Sequence, residues 1–253
     1  MDGYSTFAEF YDALTANIDY RARAEYFDRL IKRFGGKQNG LLLDLACGTG
    51  SLSEELARLG YDVIGTDGSE EMLSRALDKK IESGYDIQYL CQEMTELDMF
   101  GTIDITICAL DSLNHLPDTD AIRKTIEKVS LFCEPGGLFL FDMNTPHKHR
   151  TLLNDSAYVY DTKEVYCVWQ NSRDPESPDD RVDISLDFFV PSDGAYIRQH
   201  DEFSEIAPEK GIIEEMLVSA GFEILAEFDY DSELPADDDS DKIVWAARKK
   251  IGE

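Results

Sequence analysis

The sequence predicts an α/β fold: a mostly parallel sheet with helices on both faces, and an antiparallel β insert after the fifth strand. Three observations carry this. Short apolar runs alternate with helical patterns from Leu41 to Asp142. A glycine turn, Gly48-Thr49-Gly50, joins the first such run to the helix that follows. Between about residues 150 and 205 the alternation stops, and strand-like runs succeed one another with no helix between them. The length of 253 residues suits one large α/β domain, or one domain with a substantial insertion, and a hydrophobic content of 43% is enough for a core.

The elements follow in order. Residues 4–34 carry two helices, with Phe7, Tyr11 and Leu14 at helical spacing in the first. Tyr26, Phe27, Leu30 and Ile31 form the apolar stripe of the second, which Gly35-Gly36 ends. Leu41–Ala46 reads as a buried strand, although Asp44 interrupts it. Leu52, Leu56 and Leu59 share one face of the next helix, up to Gly60. Asp62–Thr66 is the second strand, with Asp67 at its end. Ser69 caps a helix whose first turn holds Glu70 and Glu71. Asp86–Cys91 and Ile103–Leu110 are the third and fourth strands. Asp118 caps a helix carrying Ile122, Ile126 and Val129, and Gly136-Gly137 turns into the fifth strand, Leu138–Asp142.

In the insert, Val165–Asn171, Arg181–Val190 and Ala195–Phe203 read as strands, with a polar loop over 172–180. Val182, Ile184, Leu186 and Phe188 alternate with Asp183, Ser185 and Asp187, the pattern of a half-exposed antiparallel strand. Pro191-Ser192-Asp193-Gly194 makes a tight turn. A helix from about Pro208 to Ala220 ends at Gly221. Strands Phe222–Tyr230 and Ile243–Arg248 close the chain around an acidic, solvated loop, SELPADDDSD.

The net charge of -28, from 52 acidic and 24 basic residues, disfavours DNA and anionic membranes, whose binding relies on Lys and Arg. The five cysteines are odd in number and show no CxxC spacing; four lie in or beside apolar runs. They read as buried free thiols in a reducing, cytoplasmic compartment. The start, MDGYSTFAEFYD, lacks the basic and apolar regions of a signal peptide. No apolar stretch approaches the roughly 20 residues of a membrane span.

The glycine turn sets backbone N–H groups and a helix N-terminus beside a ligand. It is not a dinucleotide fingerprint, because Ser51-Leu52-Ser53 follows Gly50 and the third glycine is missing. A Walker sequence is absent too. Three further features narrow the ligand. Asp67 stands about 20 residues after the loop, where a carboxylate accepts from both ribose hydroxyls. Gln92-Glu93-Met94 follows the third strand, where an acid can accept from an adenine amine and an apolar neighbour can pack on the ring. Asp44 can face an ammonium directly or through water. A dinucleotide offers no ammonium. S-adenosylmethionine does, with a sulfonium and no phosphate.

LLLDLACGTGSLS, DVIGTDGSEEML, QEM and CALDSLNHL, in this order across roughly residues 40–142, resemble the successive motifs of class I S-adenosylmethionine-dependent methyltransferases. YSTFAEFYDAL and FDMNTP resemble a bacterial small-molecule group akin to glycine and amino-sugar N-methyltransferases, which also carry an antiparallel insert. The resemblance implies a Rossmann-like seven-stranded sheet. It implies a helical lid over residues 1–36, a core over 37–150 and 206–253, and the β insert over 151–205. It implies that Ala46, Gly48 and Gly50 line the methionine moiety with backbone atoms. Asp67 would hold the ribose, Met72 would pack near the adenine, and Glu93 and Met94 would hold it, although Asp is commoner than Glu in that slot. Leu110 and Asp111 would stand beside the methionine and the transferable methyl, and Tyr11 would fold over the cofactor. Blander roles stay open: a plain tight turn for the glycines, a loop acid for Glu93, core packing for Tyr11, and loop support for Asp44.

Methyl transfer from a sulfonium is an in-line displacement, so the enzyme chiefly aligns the partners and excludes water. The loops after the fourth and fifth strands offer Asp111, Asn114 and His115, then Asp142, Asn144, His147 and His149. His115 and Asp111 are the catalytic candidates, His115 because its range suits general-base work. A backbone-bonded helix-entry residue is the alternative for His115. His147 and His149 are expected on a polar loop. Asp111, Asp142 and Asn144 could ligate a divalent metal, but DSLNHL looks like the metal-free subgroup, so no metal is expected. The DNA-methylating [DN]PP[YF] signature is absent. Tyr166, Trp169, Phe188 and Phe189 would give the insert an aromatic surface, or a small core of its own.

The reading is a cytoplasmic enzyme moving a methyl from S-adenosylmethionine to N or O of a small molecule, leaving S-adenosylhomocysteine. It would have no DNA or membrane partner, and would be a monomer or a homodimer paired through the insert. The alternatives are a protein or tRNA nucleoside as acceptor, or a non-catalytic cofactor binder.

Overall fold

Leu42 and Leu43 point to opposite faces of the first strand, and each meets its own apolar layer. That alternation places β1 (Leu41–Leu45) in the middle of a sheet covered on both sides. The computed structural model describes residues 5–252. Met1–Tyr4 and Glu253, and with them the first residue of the expected helical stretch, lie outside the described residues.

The helices are α1 (Ser5–Leu14), α2 (Tyr20–Arg33), α3 (Ser51–Arg58), α4 (Glu70–Ser83), α5 (Thr119–Phe132), α6 (Pro146–Thr151) and α7 (Lys210–Ser219). The core strands after β1 are β2 (Asp62–Asp67), β3 (Gln88–Cys91), β4 (Ile103–Cys108) and β5 (Cys133–Asn144). The insert holds β6 (Ala157–Asp161), β7 (Tyr166–Arg173), β8 (Val182–Ser192) and β9 (Ala195–Glu205), and β10 (Phe222–Asp229) and β11 (Lys242–Lys249) follow α7.

The large sheet is Rossmann-like, seven-stranded, in the order β10-β11-β5-β4-β1-β2-β3. β5, β4, β1, β2 and β3 run parallel, and β11 lies antiparallel between β5 and β10. One face buries Leu43, Phe139, Phe141 and Trp245 against α5 and α7. The other buries Leu42, Ile105 and Ile107 against Phe27, Leu30 and Leu56 of α2 and α3. Burying each such side chain contributes about 1.5–3 kcal/mol. Asp44, two residues after Leu42, shares the α2 and α3 side. The strand order reverses between β1 and β4, so a crevice opens at their carboxyl ends.

The caps expected from sequence are formed: Ser69 accepts from the Met72 N–H and Asp118 from the Ala121 N–H. Two elements are additions to the sequence reading. α6 is a short helix started by Thr145, whose side chain accepts from the Lys148 N–H. β6 is a fourth insert strand, mostly exposed, so AYVYD carries no inward-outward alternation to read. The insert's hairpin turn is shorter than expected: Asp193 and Gly194 alone make it, at φ +47 and +82, as a two-residue turn of the type that suits strand twist.

The insert does not stand apart from the helices. Phe7, Phe10 and Leu14 of α1 pack with Cys167, Ile184, Leu186 and Phe188. The Phe7 N–H also donates to Asp201 Oδ2 at 2.7 Å. Phe188 is therefore core, whereas Trp169 and Phe189 are half-buried and Tyr166 is exposed. Of the cysteines, all free, Cys108, Cys133 and Cys167 are buried, Cys47 is half-buried and Cys91 is exposed, which corrects the expectation of four buried thiols. Among the described residues no helix is long and apolar enough to cross a membrane.

Candidate active site

The loop after β1 starts with a strained residue. Ala46 has φ +59, and Gly48 and Gly50 follow at +54 and +74. A non-glycine residue in this region is uncommon, and such residues cluster at functional sites. Gly50 is also required by space, because a Cβ there would lie 2.4 Å from Tyr89 Oη. Asp67 braces the loop: Oδ2 accepts from the Gly48 N–H at 2.8 Å and Oδ1 from the Ser69 N–H at 2.9 Å. Burial pushes its pKa up, against those backbone donors.

Asp44 is 2% exposed and accepts from Ser53 Oγ at 2.5 Å. Burial pushes its pKa up to about 7, although the Ser53 hydroxyl opposes this. Among the described residues no Lys, Arg or His pairs with it. Asp44 lines a solvent-open cleft together with Tyr11, Tyr20, Ala46, Gly48 and Leu110. A buried acid that lacks a cation and faces a cleft fits an ammonium-bearing ligand.

The cleft is covered by α1. Asp12 Oδ1 accepts from Thr49 Oγ1 at 2.7 Å, and Asp12 Oδ2 meets Lys79 Nζ of α4 at 2.7 Å. The same ammonium reaches Thr49 Oγ1 at 2.9 Å and Ser51 Oγ at 2.6 Å. These contacts tie the N-terminal helix to the glycine loop.

The end of β4 is a second left-handed turn, at Leu110 (φ +58) and Asp111 (φ +56). Both N–H groups are taken by Asp142, fully buried on β5, at 3.0 and 2.7 Å. Lys242 Nζ lies 2.8 Å from Asp111 Oδ1, 3.5 Å from Asp142 Oδ1, and 4.6 Å from the centre of the Tyr230 ring. Burial alone would raise the Asp111 pKa, but Lys242 and Lys148 hold it well below the usual carboxylate range. Burial would lower the Lys242 pKa, and the two carboxylates override it. Asn144 Nδ2 donates to Asp111 Oδ2 at 2.7 Å and to Glu205 Oε2 at 2.9 Å, while Lys148 Nζ donates to Asn144 Oδ1 at 2.7 Å. Asn114 accepts from the Asn144 N–H and donates to the Ile206 carbonyl, pinning the end of the insert to β5.

The sequence candidates divide. Tyr11, Asp44, Ala46, Gly48 and Leu110 line one cleft. Asp67 braces the loop through the Gly48 and Ser69 N–H groups, and Gly50 turns it beside Tyr89. Glu93 is half-buried against Gly68, where a Cβ would stand 2.9 Å from its carboxyl. Met72 is buried with α1 and the insert, and Met94 packs on the α5 side of the core. Asp111 and His115 sit at the end of β4 and join through Asn144 and Glu205. Asp111, Asp142 and Asn144 are held by lysines and backbone N–H groups. One expectation is overturned: His147 and His149 lie on α6, not on a polar loop, and His149 is fully buried. Tyr20, Thr49, Lys79, Lys148, Glu205 and Lys242 are site residues that the sequence reading did not name.

Residues 42–137 match the family described as a methyltransferase domain. A putative methyltransferase of Geobacillus sp. (strain WCH70) is 31% identical over 248 residues, 97% of this chain and 99% of that one. A glycine/sarcosine N-methyltransferase of Halorhodospira halochloris is 31% identical over 166 residues, 64% of this chain and 59% of that protein. The solved structure of an S-adenosylmethionine-dependent methyltransferase from Clostridium acetobutylicum ATCC 824 is 30% identical, with a TM-score of 0.86 over 98% of this chain and 99% of that one. Likeness of this extent in sequence and in structure, on a cleft that suits an ammonium and carries no phosphate loop, places the chain in the S-adenosylmethionine-dependent methyltransferase family.

Proposed function

We propose that the protein methylates N or O of a small molecule, and that the cleft beneath α1 holds the methyl donor. The observation that carries this is Asp44, a buried carboxylate lacking a cation and facing that cleft. S-adenosylmethionine supplies an electrophilic methyl on a sulfonium. Asp44 receives the donor's ammonium, and the backbone of Ala46, Gly48 and Gly50 lines the methionine end. Asp67 takes the ribose hydroxyls, Glu93 and Met94 hold the adenine, and Met72 packs nearby. Leu110 and Asp111 border the methionine on the β4 side, and Tyr11 closes over it. His115 stands next to the acceptor and takes its proton where it has one to lose.

A small acceptor is supported by the cover over the end of β4. Phe7 of α1 packs against Trp169 and Phe203 of the insert, at 6.0 and 5.5 Å between ring centres, and Phe203 lies 5.3 Å from His115. Such a roof suits a reaction from which water must be kept, and leaves little access for a macromolecule. The net charge of -28 also disfavours tRNA. The partial relative named for glycine and sarcosine points the same way.

Calorimetry with S-adenosylmethionine and S-adenosylhomocysteine tests the site, followed by turnover on a panel of amines, phenols and carboxylates. Both ligands should bind wild type and Asp67→Ala should weaken them. Binding of neither ligand, with Asp67→Ala behaving as wild type, would sink the proposal. Binding without turnover on any acceptor would favour a non-catalytic binder.

A further inference from the structure

Behind His115 lies a buried ion chain that reaches away from the cleft. Glu205, at the end of β9, is 5% exposed and sits between two imidazoles. His115 Nε2 is 3.6 Å from its Oε1, and His149 Nε2 is 3.6 Å from its Oε2. On the other side of His149, Nδ1 lies 2.7 Å from the Asp180 carbonyl oxygen. A carbonyl only accepts, so Nδ1 carries a proton. In a neutral ring Nε2 would then be a bare lone pair, buried, without a hydrogen-bond partner and facing a carboxylate. Two electron-rich atoms so placed repel strongly in a low-dielectric interior. A proton on Nε2 turns that repulsion into an ion pair.

The surroundings assign that proton. Burial would raise the Glu205 pKa, yet the two facing histidines hold it below the usual carboxylate range. Asn144 adds a hydrogen bond to Oε2 at 2.9 Å. Asp111, the nearest acid on the β4 side, is held by Lys242 at 2.8 Å. The Asp180 carboxylate is taken by Arg150 and Arg173, at 2.5 and 2.8 Å, and does not compete for His149.

We propose that His149 is a stored imidazolium that keeps Glu205 an anion, and that Glu205 in turn orients His115 as proton acceptor for a protonated amine or a phenol. His149 and Glu205 are positioning residues, fully or almost fully buried, whereas the His115 side chain is 26% exposed. With Nε2–H turned toward Glu205, the basic nitrogen of His115 is Nδ1. The acceptor's proton moves to Nδ1, its lone pair stays on the acceptor atom, and the resulting imidazolium pairs with Glu205. The inference rests on His115 lying next to the acceptor, as proposed above, but its ring states are readable with no acceptor present.

Histidine-ring nitrogen NMR on the full chain at pH 8 tests it. Wild-type His149 should show two protonated nitrogens and His115 a single Nε2–H tautomer. In Glu205→Gln, His149 should revert to a neutral ring protonated at Nδ1, and His115 should become a mixture of tautomers. A neutral His149 in wild type overturns the proposal without any variant, as does a His115 tautomer indifferent to Glu205→Gln. On an acceptor from the panel, Glu205→Gln should lower kcat by on the order of tenfold to a hundredfold, with the affinity for S-adenosylhomocysteine kept within about twofold. The expected ring states with no turnover on any acceptor would instead refute the methyl-transfer reading and the role of His115.

Discussion

Replacing Asp44 by Asn removes one charge and almost no volume at a site 2% exposed. The Asn oxygen can still accept from Ser53. In the ligand-free protein burial raises the Asp44 pKa to about 7 from an ordinary 3.8. A folded-state pKa raised in this way gives stability that is complete below about pH 4 and is lost as pH rises through about 7. Some three units at about 1.4 kcal/mol each amount to about 4 kcal/mol lost by pH 8, against about 1.5 kcal/mol at pH 5. Asn stays neutral throughout. The variant should therefore be more stable than wild type at pH 8, with an advantage that shrinks by about 2.5 kcal/mol at pH 5. For a chain of this size that difference is about 5–10 °C in Tm. Ligand binding should move the opposite way, because the donor's ammonium loses a charged partner worth about 2 kcal/mol, or roughly thirtyfold in Kd. Binding to wild type at pH 7 should also release about half a proton. Melting curves at the two pH values and calorimetry with S-adenosylhomocysteine measure all of this. A variant no more stable than wild type at pH 8, or one that binds the ligand equally well, would refute the reasoning.

Lys79→Met should free α1 from the glycine loop and raise the dissociation rate of S-adenosylhomocysteine about fivefold, the worth of an ion pair near 1 kcal/mol; stopped-flow displacement reads it. Lys242→Met takes the nearest cation from Asp111 and the buried Asp142, and should cost on the order of 3–5 kcal/mol in denaturant titrations. Adding Asp142→Asn to it should recover part of that loss. Gly50→Ala forces a Cβ against Tyr89 Oη in a left-handed backbone, and should cost about 2–4 kcal/mol. Tyr89→Phe in the same chain should relieve the steric share and leave the backbone share.

The half of the candidate site proposed to hold the cofactor was legible because its signals are local. The β1 run, the glycine turn and Asp67 lie within 27 residues of one another, and a left-handed turn at Gly48 and Gly50 announces itself in sequence. The other half is assembled from distant segments. Lys242 at the start of β11 meets Asp111 through the pairing of β11 with β5, Glu205 at the end of β9 reaches Asn144 from the other sheet, and nothing near either residue marks it. Lys242 follows an acidic loop and reads as one more surface charge, yet register sets it opposite Asn144. His149 was misplaced for a related reason. HKHR looks like a polar loop, but Thr145 and Pro146 start a helix there, and its inner face turns His149 toward Glu205. β6 left no pattern because neither of its faces is buried deeply.

The two ends of the site are held by opposite means. Leu110 and Asp111 adopt a backbone that costs a non-glycine residue about 1–3 kcal/mol each, so something must hold them. Asp142 does so with one charge-assisted hydrogen bond to each N–H, worth about 1.5–3 kcal/mol apiece. Asp142 is itself a buried anion that needs a cation, which Lys242 supplies while also fixing Asp111. Each member thus needs the next, and the floor at the end of β4 cannot shift without breaking several contacts together. The cover is different. α1 is fastened to the loop by the Asp12 and Lys79 pair, which water reaches, and by two hydroxyls. A methyl displacement needs its partners aligned to a fraction of an ångström, whereas ligand exchange needs an element that opens. The buried ion network suits the first requirement, and under the proposed reading the solvent-touched latch on α1 suits the second.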